Sequence, residues 1–196
     1  MKFHFLYCLY FFVLLISCNN ADEKRLAENL KEVNKQESIF ANINKNWNFS
    51  VPALNPGSQK IVENWAEWRL FITEINHKPK TSIGAFHVKA KTLEKRVNDL
   101  YNNIPPQFNK PEIKSRIAAL SSKIGSINLF INLHDIPDQK ITALIADVNI
   151  ELAALCQQMD EIIRISSIPK EEGESDMLRM LDKSRAIPTN STTQKP

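Results

Sequence analysis

Five side chains that could bind a metal ion lie at or near the ends of predicted helices: His77, His87, His134, Asp135 and Asp138. If consecutive helices run antiparallel, these helix ends meet at one end of the fold. Imidazole nitrogens combined with carboxylate oxygens are typical ligands of zinc and other borderline metals. The alternative is that the histidines interact only with terminal helix carbonyl groups and solvent. Both interpretations follow from the sequence, and the metal site is the more specific one.

The chain lacks the sequence motifs that are typical of enzymes. Glu74 and His77 match the Glu-x-x-His motif of di-iron proteins, but such sites need two copies and two further glutamates. The glycines are isolated from one another, so there is no glycine-rich phosphate loop. Neither a Gly-x-Ser-x-Gly motif nor a Cys-x-x-Cys-His motif is present. We therefore predict a protein that is not an enzyme and that carries no cofactor.

Four periodic apolar segments predict the helices that would position the histidines. In each segment apolar residues recur at alternating steps of four and three, the spacing of helices that pack side by side. The segments are Ile61–Ile75, Phe86–Ile104, Ile113–Ile131 and Ile141–Ile162. The connections between them are short, so neighbouring helices should be antiparallel. We predict an all-α fold: an up-down antiparallel four-helix bundle with an additional N-terminal helix or stalk and a disordered C-terminal tail.

Capping residues and changes in composition set the predicted boundaries. The first core helix can begin at Asn55-Pro56 or Ser58, the second at Thr81 or Ser82, and the third near Pro111. The N-terminal helix, over residues 22–44, has an apolar stripe of Leu26, Leu30, Val33 and Phe40. We divide the chain into a signal segment (1–17), a tether with N-terminal helix and linker (18–57), the bundle (58–168), and a short helix with a tail (169–196).

Trp47 and Phe49 are candidate interaction residues in the linker before the first core helix. They alternate with polar residues, and Pro52 and Pro56 exclude a helix through this stretch. One interpretation is an extended segment whose aromatic rings pack along the bundle. The other is a hydrophobic loop that contacts a membrane or a ligand.

Two further features could indicate a homo-oligomer. Small residues on the third core helix predict close packing within the bundle, with self-association as the alternative: Ala118, Ser121, Ser122 and Gly125. Cys156 adjoins the apolar stripe of the fourth helix, where it would be a buried small side chain or a thiol that links two chains.

The first eighteen residues differ from the rest of the chain. Lys2 precedes an apolar run from Phe3 to Ile16, which is shorter than the roughly 20 residues that span a bilayer and has the length of a signal peptide. The run ends in Leu15, Ile16, Ser17 and Cys18, which resembles the lipobox of bacterial lipoproteins. The resemblance implies cleavage before Cys18, lipidation of this cysteine, and attachment of the mature protein to a membrane.

Charge and the residues after Cys18 bear on location and partners. The formal net charge is +3, of which Lys2 contributes one, so the balance does not favour nucleic-acid binding. No aspartate follows Cys18 directly; in enteric-type lipoproteins an aspartate there favours retention at the inner membrane. We expect a lipid-anchored envelope protein, at the periplasmic or surface face of the outer membrane, with a protein or cell-wall partner.

Overall fold

The computed structural model describes residues 19–169, 173 and 179–181. Six helices lie within residues 19–169, and these residues include no strand. We label them α1 (Asn19–Asn46), α2 (Pro56–Val62), α3 (Ala66–Asn76), α4 (Ile83–Asp99), α5 (Pro111–Ile131) and α6 (Asp138–Ser166). The predicted all-α class is confirmed. The signal segment, Cys18 and most of the predicted short helix and tail lie outside the described residues.

Helix starts follow the capping residues of the sequence. Asn55 caps α2, where its side-chain oxygen accepts a hydrogen bond from the backbone N–H of Ser58 at 2.8 Å. Ser82 caps α4 in the same way. Pro111 is the first residue of α5, where its missing N–H is harmless. These three predictions are confirmed.

The first predicted core helix is in fact two helices. The apolar spacing continues from Ile61 to Ile75, yet α2 ends at Val62 and α3 begins at Ala66. Trp65, between them, has an extended backbone, with φ −95° and ψ 95°. Its buried indole stacks on Trp68, with ring centroids 5.9 Å apart, and donates a hydrogen bond to the carbonyl oxygen of Asn102. The break lets a large ring fill the core while its polar N–H finds an acceptor.

Side-chain hydrogen bonds show that α3, α4, α5 and α6 run antiparallel to their neighbours in the chain. Between α4 and α5, Glu94 accepts from Asn128 and Asn98 accepts from Ser121, each at 2.6 Å. A later residue on α4 therefore bonds to an earlier residue on α5, as it must when two helices run in opposite directions. The same order holds for the α5–α6 ion pairs Lys123–Asp147 and Arg116–Glu151. It also holds for the α3–α4 contact Glu74–Lys89 and for the bond from Trp65, just before α3, to Asn102, just after α4.

The core contains most of the predicted stripe residues and one element that the sequence analysis assigned to the tether. Of the four stripes, only Ile61, Ile72 and Ile104 are half-buried, and the others are buried. The end of α1 adds three buried side chains, Ile39, Ile43 and Trp47. Residues 22–35 of α1 are exposed. No described helix is both long and apolar enough to cross a bilayer.

Most of the predicted apolar stripe of α1 faces solvent, whereas Phe40 at its end packs against the core, edge-on to Phe86. Leu26, Leu30 and Val33 are more than half exposed. The buried face uses Ile39, Ile43 and Trp47, which repeat every four residues. Around the helix axis, this buried face lies about 90° away from the predicted stripe. The helix predicted over residues 22–44 is present, and its core contacts come from its last part rather than from Leu26, Leu30 and Val33.

Candidate functional site: a groove beside an extended segment

A surface groove lies between residues 51–54 on one side and helices α2 and α3 on the other. It encloses about 380 Å³. Its apolar wall is formed by Val51, Leu54, Val62, Trp68 and Ile72. The volume falls at the lower end of the roughly 300–1,000 Å³ range of small-ligand sites. The groove can therefore hold a few side chains or a small molecule.

Two side chains of α6 hold the segment that forms one wall. At one end, Asn149 accepts a hydrogen bond from the backbone N–H of Ser50 and donates one to the carbonyl oxygen of Asn48. At the other end, both carboxylate oxygens of Asp160 accept from the backbone N–H of Asn55, at 3.1 and 3.3 Å. The segment is thus attached to α6 at two points.

The spacing of these two points agrees with an extended backbone. Asn149 and Asp160 lie eleven residues apart on α6, which is about 16 Å at the rise of an α-helix. Ser50 and Asn55 are five residues apart, which spans about 16 Å only if the chain is extended. The two helix side chains therefore hold residues 50–55 along α6 without helical or strand structure of their own.

The middle of this extended segment has free backbone groups. Among the described residues, none accepts a hydrogen bond from the backbone N–H of Val51, Ala53 or Leu54. Pro52 has no N–H to donate. Pro52 and Ala53 are exposed, and Val51 and Leu54 are half-buried. The segment therefore resembles a short unpaired edge strand along the groove.

Polar side chains on the opposite wall also have no partner. Gln59, Glu63, Arg69 and Thr73 line the groove. Within the described part of the chain, none of their side chains takes part in a hydrogen bond or an ion pair. Glu63 and Arg69 share the groove without pairing with each other. Arg69 is thus an exposed guanidinium beside an apolar wall, an arrangement that suits a carboxylate or phosphate group.

A buried lysine fixes the helix that carries Trp68 and Arg69. Lys89 of α4 is only 5% exposed. Its ammonium group donates to Oε1 of Glu74 at 2.5 Å and to the carbonyl oxygen of the same residue. Glu74 lies in the last turn of α3, and its carbonyl oxygen also accepts from the backbone N–H of His77 at 3.1 Å. Lys89 therefore adds a second donor at the end of α3 and ties it to α4.

A second cavity lies on the other side of α2 but has fewer features of a binding site. It encloses about 490 Å³ between α2 and residues 103–107. Lys60 is the charged residue in its lining, which includes no aromatic side chain. The polar Asn103 at its edge is already bonded to Glu67 at 2.8 Å. The groove with Arg69 is therefore the stronger candidate.

In the structure, the five residues of the predicted metal site have other contacts or no partner among the described residues. Asp135 forms an ion pair with Lys35 of α1 at 2.6 Å, and Asp138 accepts a hydrogen bond from Asn42. His77 follows the end of α3 and is exposed, as is His134, while Nε2 of His87 is buried without a partner. No group of three His, Cys, Asp or Glu side chains within the described ranges could hold a metal ion. The metal site stays a prediction that this structure does not support.

The ion pair at Asp135 changes the acidity of both its members. The hydrogen bond from Lys35, followed by its positive charge, lowers the pKa of Asp135. The same contacts raise the pKa of Lys35. Both side chains are exposed, so the pair positions α1 against the loop before α6 but adds little to stability.

The aromatic pair in the linker packs inward. Trp47 is 2% exposed and makes edge-to-face contacts with Phe49 and with Phe86 of α4. Its Nε1 has no hydrogen-bond partner among the described residues. Trp47 therefore fits the interpretation in which the aromatic rings pack along the helices, because a buried indole cannot contact a membrane. Phe49 is half-buried beside it.

Two of the four small residues of α5 face α4, whereas Ala118 and Ser122 are exposed. Ser121 bonds to Asn98, and a Cβ atom added to Gly125 would lie 3.1 Å from the carboxylate of Glu94. Close approach between the two helices therefore accounts for Ser121 and Gly125. Cys156 is buried, and burial followed by the charge of Asp160 raises its pKa to about 11. This burial fits the interpretation of Cys156 as a small core side chain.

Sequence reasoning identified the extended segment but missed Arg69 and the groove. The two prolines indicated an extended backbone at residues 51–54, whereas nothing in the sequence distinguishes Arg69 from any other solvent-exposed arginine. Comparisons with protein-family models, curated proteins and solved structures give no match to this chain.

Proposed function

We propose that this protein is a lipid-anchored, non-catalytic binding protein of the cell envelope, with the groove beside residues 51–54 as its ligand site. In this proposal α3 to α6 form an up-down four-helix bundle that serves as a rigid scaffold. Cys18, one residue before α1, carries the lipid. The observation that supports binding is an open groove that combines an apolar wall, an unpaired arginine and free backbone groups.

Binding fits the groove better than catalysis. The side chains that line it include one acid, one arginine, one glutamine and one threonine, without a histidine or a cysteine. No nucleophile lies next to a base in this set, and general acid–base chemistry needs such groups within hydrogen-bond reach. A positively charged group beside apolar surface does suffice to recognise a ligand.

Membrane fractionation of a Cys18→Ala variant tests the anchor. The native protein should be recovered with membranes and should incorporate labelled fatty acid. The variant should lose the label and leave the membrane fraction, because it lacks the thiol that would carry the lipid. Cys156→Ala is the matched control, since this buried thiol should not affect fractionation. A variant that stays in the membrane without the label contradicts the anchor.

Native mass spectrometry of protein purified from its own membranes tests the ligand site. We expect a bound species that is lost when Thr73→Trp fills the groove. Ser115→Trp, on an exposed face of α5 away from the groove, should retain it. A bound species that survives Thr73→Trp would place the ligand elsewhere and would remove the groove from the proposal.

A further inference from the structure

We infer that the groove binds an extended peptide that pairs with the backbone of residues 51–54 and places a carboxylate on Arg69. This inference rests on the proposed binding function and specifies its ligand. An unpaired strand edge binds a peptide through main-chain hydrogen bonds, and pockets for alternate side chains provide selectivity. The groove combines such an edge with an apolar wall and a free positive charge.

The extended segment is preorganised for pairing in the ligand-free protein. Asn149 and Asp160 fix its two ends to α6, so a peptide does not have to order it. The backbone N–H groups of Val51 and Ala53 lie between the two attachment points, on either side of Pro52. Neither donates to another described residue. Preorganisation of this kind reduces the entropy that binding must overcome.

Arg69 selects the charge of the peptide. Its guanidinium carries rigid paired donors that match the two oxygens of a carboxylate. Within the described residues no acid satisfies it, including Glu63 in the same groove. The nearby Glu63 disfavours a strongly acidic peptide, so one carboxylate on an otherwise apolar peptide is the best complement. Trp68 and Ile72 beside Arg69 provide the surface for one apolar side chain.

Peptide titration of the full-length protein in detergent micelles tests the inference. The probe is a pool of N-acetylated pentapeptides in which valine or leucine alternates with threonine and which end in a free carboxylate. Backbone amide resonances of isotope-labelled protein should shift at Val51, Ala53 and Leu54. The same pool with amidated ends should bind about fivefold more weakly, because it lacks the charge that Arg69 recognises.

Two variants with matched controls separate the backbone and charge contributions. Ala53→Pro removes one backbone N–H from an already extended segment and should weaken binding about fivefold, whereas Ala53→Ser keeps the N–H and should bind normally. Arg69→Gln should abolish the difference between carboxylate and amide pools. Lys60→Gln, on the other side of α2, should preserve that difference.

The outcomes distinguish this inference from the function on which it rests. Absence of shifts at millimolar peptide, shifts confined to other surfaces, or equal affinity of Ala53→Pro and Ala53→Ser would each overturn peptide pairing. If native mass spectrometry still finds a groove-bound species of another chemical class, the binding function stands and only the peptide is excluded. If the peptide binds while Cys18→Ala remains on membranes, the anchor fails and the inference stands.

Discussion

Replacement of Lys89 by methionine should lower the free energy of unfolding by about 3 kcal/mol. Methionine keeps the apolar stem of the side chain and removes the ammonium group that donates to the side chain and carbonyl oxygen of Glu74. Removal of one partner from a buried ion pair costs about 3–5 kcal/mol, because the other charge stays buried without compensation. The side chain of Glu74 is 27% exposed and keeps some hydration, so the lower end of the range applies.

Thermal and urea unfolding followed by circular dichroism measure this loss. For a chain of this length, 3 kcal/mol corresponds to a decrease in Tm of about 6–12 °C. Lys91→Met is the matched control: it lies two residues away on the exposed face of α4 and should change stability by less than about 0.5 kcal/mol.

A double-mutant cycle separates the ion pair from other effects of the substitution. Glu74→Gln alone should destabilise the protein less than Lys89→Met, because an amide oxygen and the backbone carbonyl still accept from the lysine. The double variant should be more stable than the sum of the two single losses predicts, by about 1–2 kcal/mol. If the losses simply add, or if Lys89→Met unfolds like the control, the ammonium group does not hold α3 against α4 and the reasoning fails.

Two further predictions concern the packing of α2 and the thiol of α6. Gly57→Ala should destabilise the protein by about 1–3 kcal/mol, because the added Cβ would lie 2.8 Å from Cγ2 of Ile163. A Cβ added at Gly84 would make only an ordinary contact, 3.7 Å from Oγ of Ser82, so Gly84→Ala should be neutral or stabilising in the same unfolding assay. Cys156 should react with iodoacetamide at pH 8 about 100-fold more slowly in the folded than in the unfolded protein, as followed by peptide mass spectrometry, because a pKa of about 11 leaves little thiolate. Since folding raises this pKa, the folded state holds the proton more tightly, and stability should fall as the pH rises from about 9 to about 11. Equal reaction rates in both states, or a loss of stability with Gly84→Ala that matches Gly57→Ala, would contradict the respective prediction.

The helices were predictable because burial on one side of a helix imposes a regular spacing on the sequence. The stripes of α5 and α6 are buried without exception, and Asn55 and Ser82 mark helix starts. The break at Trp65 was not predictable, since the apolar spacing continues through it and the acceptor of its indole is Asn102, 37 residues further along the chain.

The face of α1 and the groove depend on tertiary contacts that no local pattern encodes. Leu26 and Leu30 have the spacing of a core stripe, but α1 reaches the other helices only beyond residue 35, where a different face meets them. Likewise, Arg69 belongs to a site only because Asn149 and Asp160 hold a distant segment beside it.

The direction of α1 relates the proposed anchor to the proposed ligand site. Lys35 contacts Asp135 just before α6, and the chain then runs parallel to α6 until Asn55 reaches Asp160. The exposed part of α1 is roughly 20–25 Å long. The groove lies beside the part of α6 that is about 17–33 Å from the first residue of this helix. With the lipid at Cys18, the groove would therefore lie on the side of the domain away from the membrane. A site in that position would be open to partners in the surrounding space, including the extended peptide inferred above.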